Sequence, residues 1–112
     1  MSAFSHNVRL VLSTCPDPQT ADALASALVG ERLAACVNVL PGVTSTYRWK
    51  GEVARDEEVL LLIKTTADRQ EALVERLHAL HPYELPEAVA VEADGGLAAY
   101  LAWVAEQTRD DD

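Results

Sequence analysis

The side chains of this sequence that stand out as metal ligands are spread along the chain. They are Cys15, Cys36, His78, His81, Glu84 and Glu87. Their spacings match no standard metal-binding module, so any metal site made from them has to be assembled by folding. The sequence also contains no glycine-rich phosphate loop, no G-x-S-x-G elbow, no H-E-x-x-H and no C-x-x-C. These motifs therefore point to no enzyme class.

The two cysteines differ in their sequence surroundings. Cys36 lies in an apolar stretch, where a free cysteine usually behaves as a small buried hydrophobic residue, and this role is favoured over metal ligation. Cys15 precedes a proline turn at a predicted strand end and is expected to be the more accessible of the two. For Cys15, packing and thiol chemistry both stay open.

Three basic side chains have a structural explanation beside a functional one. His78 and His81 lie three positions apart at a predicted helix end, where a cation is favoured by the helix dipole, so helix capping is preferred to a ligand pair. Lys64 lies near the end of an apolar strand and needs a carboxylate or an oxygen cage there. Glu84 or Glu87 could provide it.

Charge limits the partners of this chain. A formal net charge of −9 and a pI near 4.6 speak against nucleic acid, which needs clustered Lys and Arg to displace counterions. The nine basic residues are scattered, which leaves no polybasic stretch for a membrane surface. Cations are the more natural ions, although Glu57-Glu58 and the terminal aspartates are expected to be solvated surface.

No segment predicts a membrane span or an export signal. The longest aliphatic run, Val59 to Ile63, is far shorter than the ~20 residues that cross a bilayer. Arg9 interrupts the only apolar stretch near the start. Cys15 and Cys36 are therefore expected to be reduced thiols in a soluble, cytoplasmic protein.

The first third of the chain predicts a strand followed by a helix. Alternating apolar residues from Val8 to Cys15 predict the strand. Asp17 can cap the helix, with Pro18 at its first position, and the apolar stripe runs to about Leu33. The stripe consists of Ala21, Leu24, Ala25 and Leu28.

The centre of the chain predicts a long β-hairpin. Ala34 to Trp49 is rich in β-branched and aromatic residues and is interrupted only by Pro41-Gly42. Lys50-Gly51 predicts a two-residue turn, after which Glu52 to Thr66 returns as the second strand. Such a strand spans roughly 50 Å at ~3.4 Å per residue, against an expected radius of gyration of ~13 Å. The hairpin must therefore bend or protrude.

The tip of this hairpin is expected to be an interface. It carries Tyr47 and Trp49, two of the six aromatic residues of the chain. An isolated hairpin is marginally stable, and its exposed rings favour a covering partner. The length of the hairpin therefore predicts a symmetric homo-oligomer.

The remaining elements complete a single domain over residues 1–112. Asp68 and Glu71 form a D-x-x-E capping box for a second helix that ends at His81-Pro82. The elements after it are an extended Tyr83 to Pro86, a strand from Ala88 to Val91, a Gly95-Gly96 turn, a C-terminal helix and a frayed tail at residues 110–112. The helical stripes are Leu73, Leu77 and Leu80, then Leu97, Tyr100, Leu101 and Val104. The order β-α-β-β-α-β with an extra helix predicts an α+β, ferredoxin-like sandwich.

Six segments, taken in order, carry a family pattern across nearly the whole chain. They are Cys15-Pro16-Asp17, Glu31 to Asn38, Pro41 to Gly51 (with Val43, Ser45, Tyr47 and Trp49), Ile63-Lys64-Thr65, His81 to Glu87, and Tyr100 to Val104. With these segments in register, the chain resembles the CutA family of divalent-cation-tolerance proteins. Ala93-Asp94-Gly95-Gly96 is a local departure that leaves the role of the last loop open.

This resemblance implies a homotrimer built through the hairpins, with Tyr47 and Trp49 at the interface, and the C-terminal elements. It also implies an association with copper and, less strongly, with other divalent cations such as zinc. It does not imply a reaction. By the resemblance, Cys15, Cys36 and His81 are candidate metal ligands, and thiolate with imidazole suits copper better than calcium or magnesium.

The resemblance further implies a cleft between subunits. Its matching positions are Trp49, Lys64, Tyr83, Glu84 and Glu87. The function expected from it is a trimeric copper-tolerance protein that binds metal ions in metal homeostasis, and not an enzyme. The alternative is a trimeric signalling or scaffold module, similar in architecture to PII-type regulators, that binds a small ligand in this cleft.

Overall fold

Four strands and three helices build the computed structural model, which describes residues 6–110. The elements are β1 (Val8–Cys15), α1 (Pro18–Gly30), β2 (Cys36–Trp49), β3 (Glu52–Thr66), α2 (Ala67–Leu80), β4 (Val89–Glu92) and α3 (Ala98–Gln107). The strands form one antiparallel sheet in the order β2-β3-β1-β4. The predicted ferredoxin-like α+β arrangement is confirmed.

Helices α1 and α2 cover one face of this sheet. Alternate residues of β1 and β3 point into the core, where they meet the apolar stripes of the two helices. The core includes Val11, Cys15, Leu24, Leu28, Leu61, Ile63, Leu73 and Leu77, all at most 2% exposed. Burying each large aliphatic side chain contributes about 1.5–3 kcal/mol, so this layer supplies most of the stabilisation of the single chain.

The opposite face of the sheet is largely uncovered and apolar. Leu12 lies opposite Leu62 on one side and Val89 on the other, so the three side chains share a face. We call this surface the open face; it consists of Leu10, Leu12, Leu40, Leu60, Leu62, Val89 and Val91. Val89, Val91 and Leu40 are 52%, 45% and 41% exposed. Helix α3 covers only one end, where Leu101 and Val104 pack on Val8 and Ala35.

The hairpin both bends and protrudes, as its length predicts. The register of β2 against β3 shifts between Leu40 and Val43, and Gly42 takes a φ of +81° at this bulge. Strand β1 ends opposite Val59, so the outer half of the hairpin pairs only with itself. The chain is accordingly elongated, with extents of 45 × 28 × 22 Å.

Helix α1 begins as predicted but ends earlier. The Asp17 carboxylate accepts the Thr20 N–H at 2.7 Å, and Pro18 starts the helix. The helix ends at Gly30 rather than near Leu33, because Arg32 turns into the left-handed region with φ +61°. The Leu33 N–H then returns to the Leu28 carbonyl at 2.9 Å, which is a Schellman cap. Leu33 is buried as the hydrophobic contact of this cap and mimics one more helical turn in the sequence.

The start of α2 differs from the predicted capping box. The helix begins at Ala67, so Asp68 lies in its first turn and not at its N-cap. The N-cap is Thr66, whose hydroxyl donates to Asp68 Oδ1 at 2.6 Å instead of capping a backbone amide. At the other end, Leu80 is 38% exposed and lies outside the buried stripe.

Several element boundaries differ slightly from those predicted. Strand β2 starts at Cys36, because Ala34 and Ala35 are used in the connection from α1. Strand β4 runs one residue later than predicted, and Leu97 is the N-cap of α3 rather than its first turn. Asp110 Oδ2 lies 3.9 Å from Arg69 Nη1, while residues 111 and 112 of the expected frayed tail lie outside the described residues.

The bulge at Gly42 yields a prediction on stability. A Cβ at Gly42 or at Gly30 would meet no atom within 4 Å, but only Gly42 has a positive φ. Gly42→Ala should therefore lower the free energy of unfolding by about 1 kcal/mol through backbone strain alone. Gly30→Ala, at the last residue of α1 and without a positive φ, should leave it unchanged or raise it by less than about 1 kcal/mol. Urea unfolding at equal chain concentration measures both, and a neutral Gly42→Ala would contradict the strain.

Candidate functional site

A groove of about 980 Å³ lies where the outer half of the hairpin meets the loop between α2 and β4. Thr14, the last residue but one of β1, is part of its lining. The hairpin contributes Ser45, Thr46, Tyr47, Trp49, Asp56 and Glu58, and the loop contributes Pro82, Tyr83, Glu84, Leu85, Pro86 and Glu87. We call this site the groove.

The register of the hairpin places its chemistry on one face. Tyr47 lies opposite Ala54, and Ser45 lies opposite Asp56, so their side chains point to the same side. The same alternation continues along β3 through Glu58 to Leu60. The groove and the open face are therefore neighbouring parts of one surface.

A histidine holds the loop against the sheet. The chain leaves α2 at His81, which is 8% exposed. Its Nδ1 accepts the Tyr83 N–H at 3.1 Å, so Nε2 carries the ring proton and donates to the Thr14 carbonyl oxygen at 2.8 Å. Both ring nitrogens of His81 are thus used to fasten the loop to β1.

Two tyrosines donate hydrogen bonds to two carboxylates in the groove. The Tyr83 hydroxyl donates to Glu58 Oε2 at 2.7 Å, and the Tyr47 hydroxyl donates to Asp56 Oδ2. Burial, the hydrogen bond to Glu58 and the charge of Glu58 raise the pKa of Tyr83 well above its ordinary value. The hydrogen bond to Asp56 raises the pKa of Tyr47. Both phenols therefore stay protonated donors at neutral pH.

The groove is acidic and aromatic. Its lining contains four carboxylates and three aromatic rings, and no Lys, Arg or His among the described residues. The carboxylates are Asp56, Glu58, Glu84 and Glu87. Because like charges in one concavity add their potentials, the groove attracts cations and repels anions.

The structure gathers four of the five predicted cleft residues. Trp49, Tyr83, Glu84 and Glu87 all line the groove. Lys64 does not, because it lies six positions beyond Glu58 on β3, about 20 Å away along the strand. Its Nζ sits 5.7 Å from the ring centroid of Tyr100 on α3, so an aromatic face and not a loop glutamate receives this cation.

The predicted metal ligands do not converge within one chain. Cys15 lies opposite Val59 and Cys36 lies opposite Lys64, which separates the thiols by five positions of β3, about 17 Å. His81 has no free ring nitrogen. Among residues 6–110, no group of three His, Cys, Asp or Glu side chains is arranged to hold a metal ion. The thiolate and imidazole set therefore does not fit a copper ion in a single chain.

The order of accessibility of the cysteines is opposite to the expectation. Cys15 is fully buried, whereas Cys36 is partly exposed. The Cys15 thiol donates to the Asp17 carbonyl oxygen at 3.6 Å, and burial raises its pKa, so it stays a protonated thiol. Its position at a strand end predicts exposure, but Cys15 falls on the core side of β1 by alternation.

Asp56 and Glu58 are the groove residues that sequence reasoning missed. The sequence alone predicts Glu58 to be solvated surface. The signal that finds it is the two-residue turn at Lys50-Gly51, which sets the register and puts Asp56 opposite Ser45. That register places both carboxylates on the face of Tyr47.

These features define a class of protein: a small ferredoxin-like module with one uncovered apolar sheet face beside an acidic groove. Residues 9–107 match the family described as CutA1 divalent ion tolerance protein. The chain belongs to this family. Among the described residues, no helix is long and apolar enough to cross a membrane.

Individual relatives agree with this assignment. The divalent-cation tolerance protein CutA of Thermus thermophilus is 54% identical over 99 residues, which are 88% of this chain and 96% of the relative. Protein CutA of Mus musculus is 43% identical over 102 residues, and this match spans 91% of the chain but 58% of the mouse protein. The crystal structure of CutA from Xylella fastidiosa superposes with a TM-score of 0.90 at 50% identity, over 92% of this chain and 99% of that one.

The Tyr83 contact predicts a pH dependence of stability. Because the pKa of folded Tyr83 is raised above its ordinary value of 10.0, the folded chain holds this proton more tightly than the unfolded chain. The resulting stabilisation is fully present below pH 10 and is lost as the pH rises towards the folded pKa. Urea unfolding at about pH 8 and about pH 11 should therefore show a smaller alkaline loss for Tyr83→Phe than for the wild type. Equal losses would contradict the assignment.

Proposed function

We propose that the chain is a homotrimer that binds divalent cations, copper among them, and contributes to metal-ion tolerance. The observation that carries this proposal is the groove, whose lining contains four carboxylates and, within residues 6–110, no basic side chain. Because no three of them already form a metal site within one chain, the rest of the shell has to come from elsewhere. Carboxylate oxygens are ligands for divalent cations, with water or a neighbouring copy completing the shell. The family name describes tolerance and not a reaction, and we propose a non-enzymatic role.

The open face supports the oligomeric part of the proposal. It carries seven aliphatic side chains, and a contiguous apolar patch of this kind marks an interaction surface. Tyr47, Trp49, Tyr100 and Trp103 extend the apolar surface at both ends and are each about 40% exposed. We therefore propose that the subunits meet through the open face, the hairpin and α3. The proposed number of three copies comes from the resemblance to CutA.

The groove is proposed to become a cleft between subunits. Glu58 precedes Leu60 by two positions on one face of β3, so a copy that covers Leu60 also borders the groove. The expected role of Tyr47 and Trp49 at the interface agrees with this placement.

Assembly through the open face can be tested with one charge. Leu62→Glu places a carboxylate in the centre of the open face and should convert the trimer to a monomer that keeps its circular dichroism spectrum. Val29→Glu is the matched control, because Val29 is 42% exposed on α1, on the other side of the sheet. Light scattering after size exclusion gives the mass. A trimeric Leu62→Glu variant would refute this interface.

Cation binding in the groove can be tested by calorimetry. The trimer is titrated with Zn²⁺, Mn²⁺ and Cu²⁺, and an Asp56→Asn, Glu58→Gln double variant should bind at least about tenfold more weakly. Asp22→Asn removes an equally charged side chain from the exposed surface of α1 and should bind as the wild type does. Unchanged affinity in the double variant would reject the groove as the site.

Binding of Cu(I) is tested separately, with variants of the two cysteines. Cys36 is the accessible thiol of a single chain, and it lies on the sheet face through which copies are proposed to meet. Under reducing conditions, Cu(I) affinity should fall in Cys36→Ser and stay unchanged in Cys15→Ser, whose thiol is buried and protonated. Loss of Cu(I) binding in Cys15→Ser and not in Cys36→Ser would overturn this assignment.

A second candidate function is a PII-like signalling or scaffold module with a small ligand in the groove. The volume of about 980 Å³ supports it, because small-molecule sites have this size.

We also propose the cytoplasm as the compartment, supported by Cys15 and Cys36 as free thiols. Relatives named chloroplastic and periplasmic show that the compartment differs between such proteins.

A further inference from the structure

We propose that the groove also takes a small organic cation, an ammonium group carried on an apolar body. This inference rests on the proposed function in that both use the acidic groove. It goes beyond it because a divalent cation uses only the carboxylates. The aromatic and apolar parts of the lining have no task in holding a metal ion.

The aromatic rings of the groove are suited to attract an ammonium group. Tyr47, Trp49 and Tyr83 all line the groove. An ammonium group within about 6 Å of such a ring centroid is attracted by the ring quadrupole, most strongly by tryptophan. The Trp49 ring already attracts one cation of the chain itself, since Lys50 Nζ lies 5.8 Å from its centroid.

Hydrogen bonds join the tyrosines to carboxylates of the groove. Each phenol donates to one oxygen of a carboxylate, Tyr47 to Asp56 and Tyr83 to Glu58. These bonds hold each carboxylate beside an aromatic ring and leave its second oxygen without a tyrosine donor. A carboxylate and an aromatic ring therefore lie side by side in the lining, and both kinds of group attract an ammonium group.

The loop contributes apolar side chains. Pro82, Leu85 and Pro86 give the groove an apolar wall, and Leu85 is 70% exposed within one chain. An apolar body bound against this wall would remove Leu85 from water. A bare metal ion, with its hydration shell, makes no such contact. The rings, the carboxylates and the apolar wall together favour an organic cation over an anion, a neutral apolar molecule or a sugar.

Benzyltrimethylammonium is a suitable probe, because it joins a quaternary ammonium to an apolar ring and cannot ligate as a metal does. A Trp103→Phe background leaves Trp49 as the only tryptophan, so quenching of fluorescence reports on the groove. We expect saturable quenching by the probe and none by benzyl alcohol, which has a similar body without the charge. Equal quenching by both compounds would overturn the proposal.

Variants then locate the site by calorimetry, once size exclusion has shown that each keeps the mass of the wild-type assembly. Trp49→Leu and Glu58→Gln should each weaken binding of the probe by about tenfold. Asp22→Asn on α1 should bind as the wild type does. Full affinity in both groove variants would place the probe elsewhere and refute the inference. So would complete absence of binding, the result expected if a neighbouring copy fills the groove.

The outcome separates this inference from the proposed function. If divalent cations bind the wild-type protein and the probe does not, the proposed function is supported and only the organic ligand is refuted. Binding of the probe without binding of divalent cations would do the reverse. Failure of both titrations would reject the groove as a cation site of any kind.

Discussion

Strand β3 is the constraint on which the rest of the structure depends. Its inner half pairs with β1 on one side and β2 on the other, and its outer half pairs with β2 alone. Alternation along this single strand sends Leu61 and Ile63 into the core beneath the helices. The same alternation sends Leu60 and Leu62 to the open face and Asp56 and Glu58 to the groove. The alternation of side chains along this one strand therefore contributes to the core, to the open face and to the groove.

The groove depends on one further contact, between His81 and the end of β1. The bond from His81 Nε2 to the Thr14 carbonyl oxygen, at 2.8 Å, fastens the loop after α2 to β1 beside the hairpin. The His81 ring also receives the Tyr83 amide, which places the Tyr83 hydroxyl within 2.7 Å of Glu58. A residue expected as a metal ligand thus acts as the fastening that gives the groove its second wall.

Much of the fold could be predicted because its signals are local. The alternation in β1, the Asp17 cap and the turn at Lys50-Gly51 each act over a few residues, and the structure confirms them. The end of α1 could not, because Arg32 takes a conformation that usually calls for glycine. The groove was only half predictable. Its loop lies in one family segment, whereas Asp56 and Glu58 gain meaning only from pairing across the hairpin.

The charge of the groove and the apolar character of the open face are physically linked in the proposed trimer. Glu58 and Leu60 are two positions apart on one face, about 7 Å, so a copy that buries Leu60 brings a low-dielectric surface close to a carboxylate. Desolvation makes an uncompensated negative charge there costly, and a net charge of −9 per chain adds repulsion between copies. A cation bound in the groove, either the proposed metal ion or the proposed ammonium group, would offset both costs. Cation binding would then make the free energy of assembly more favourable, and by linkage assembly would raise the affinity for the cation.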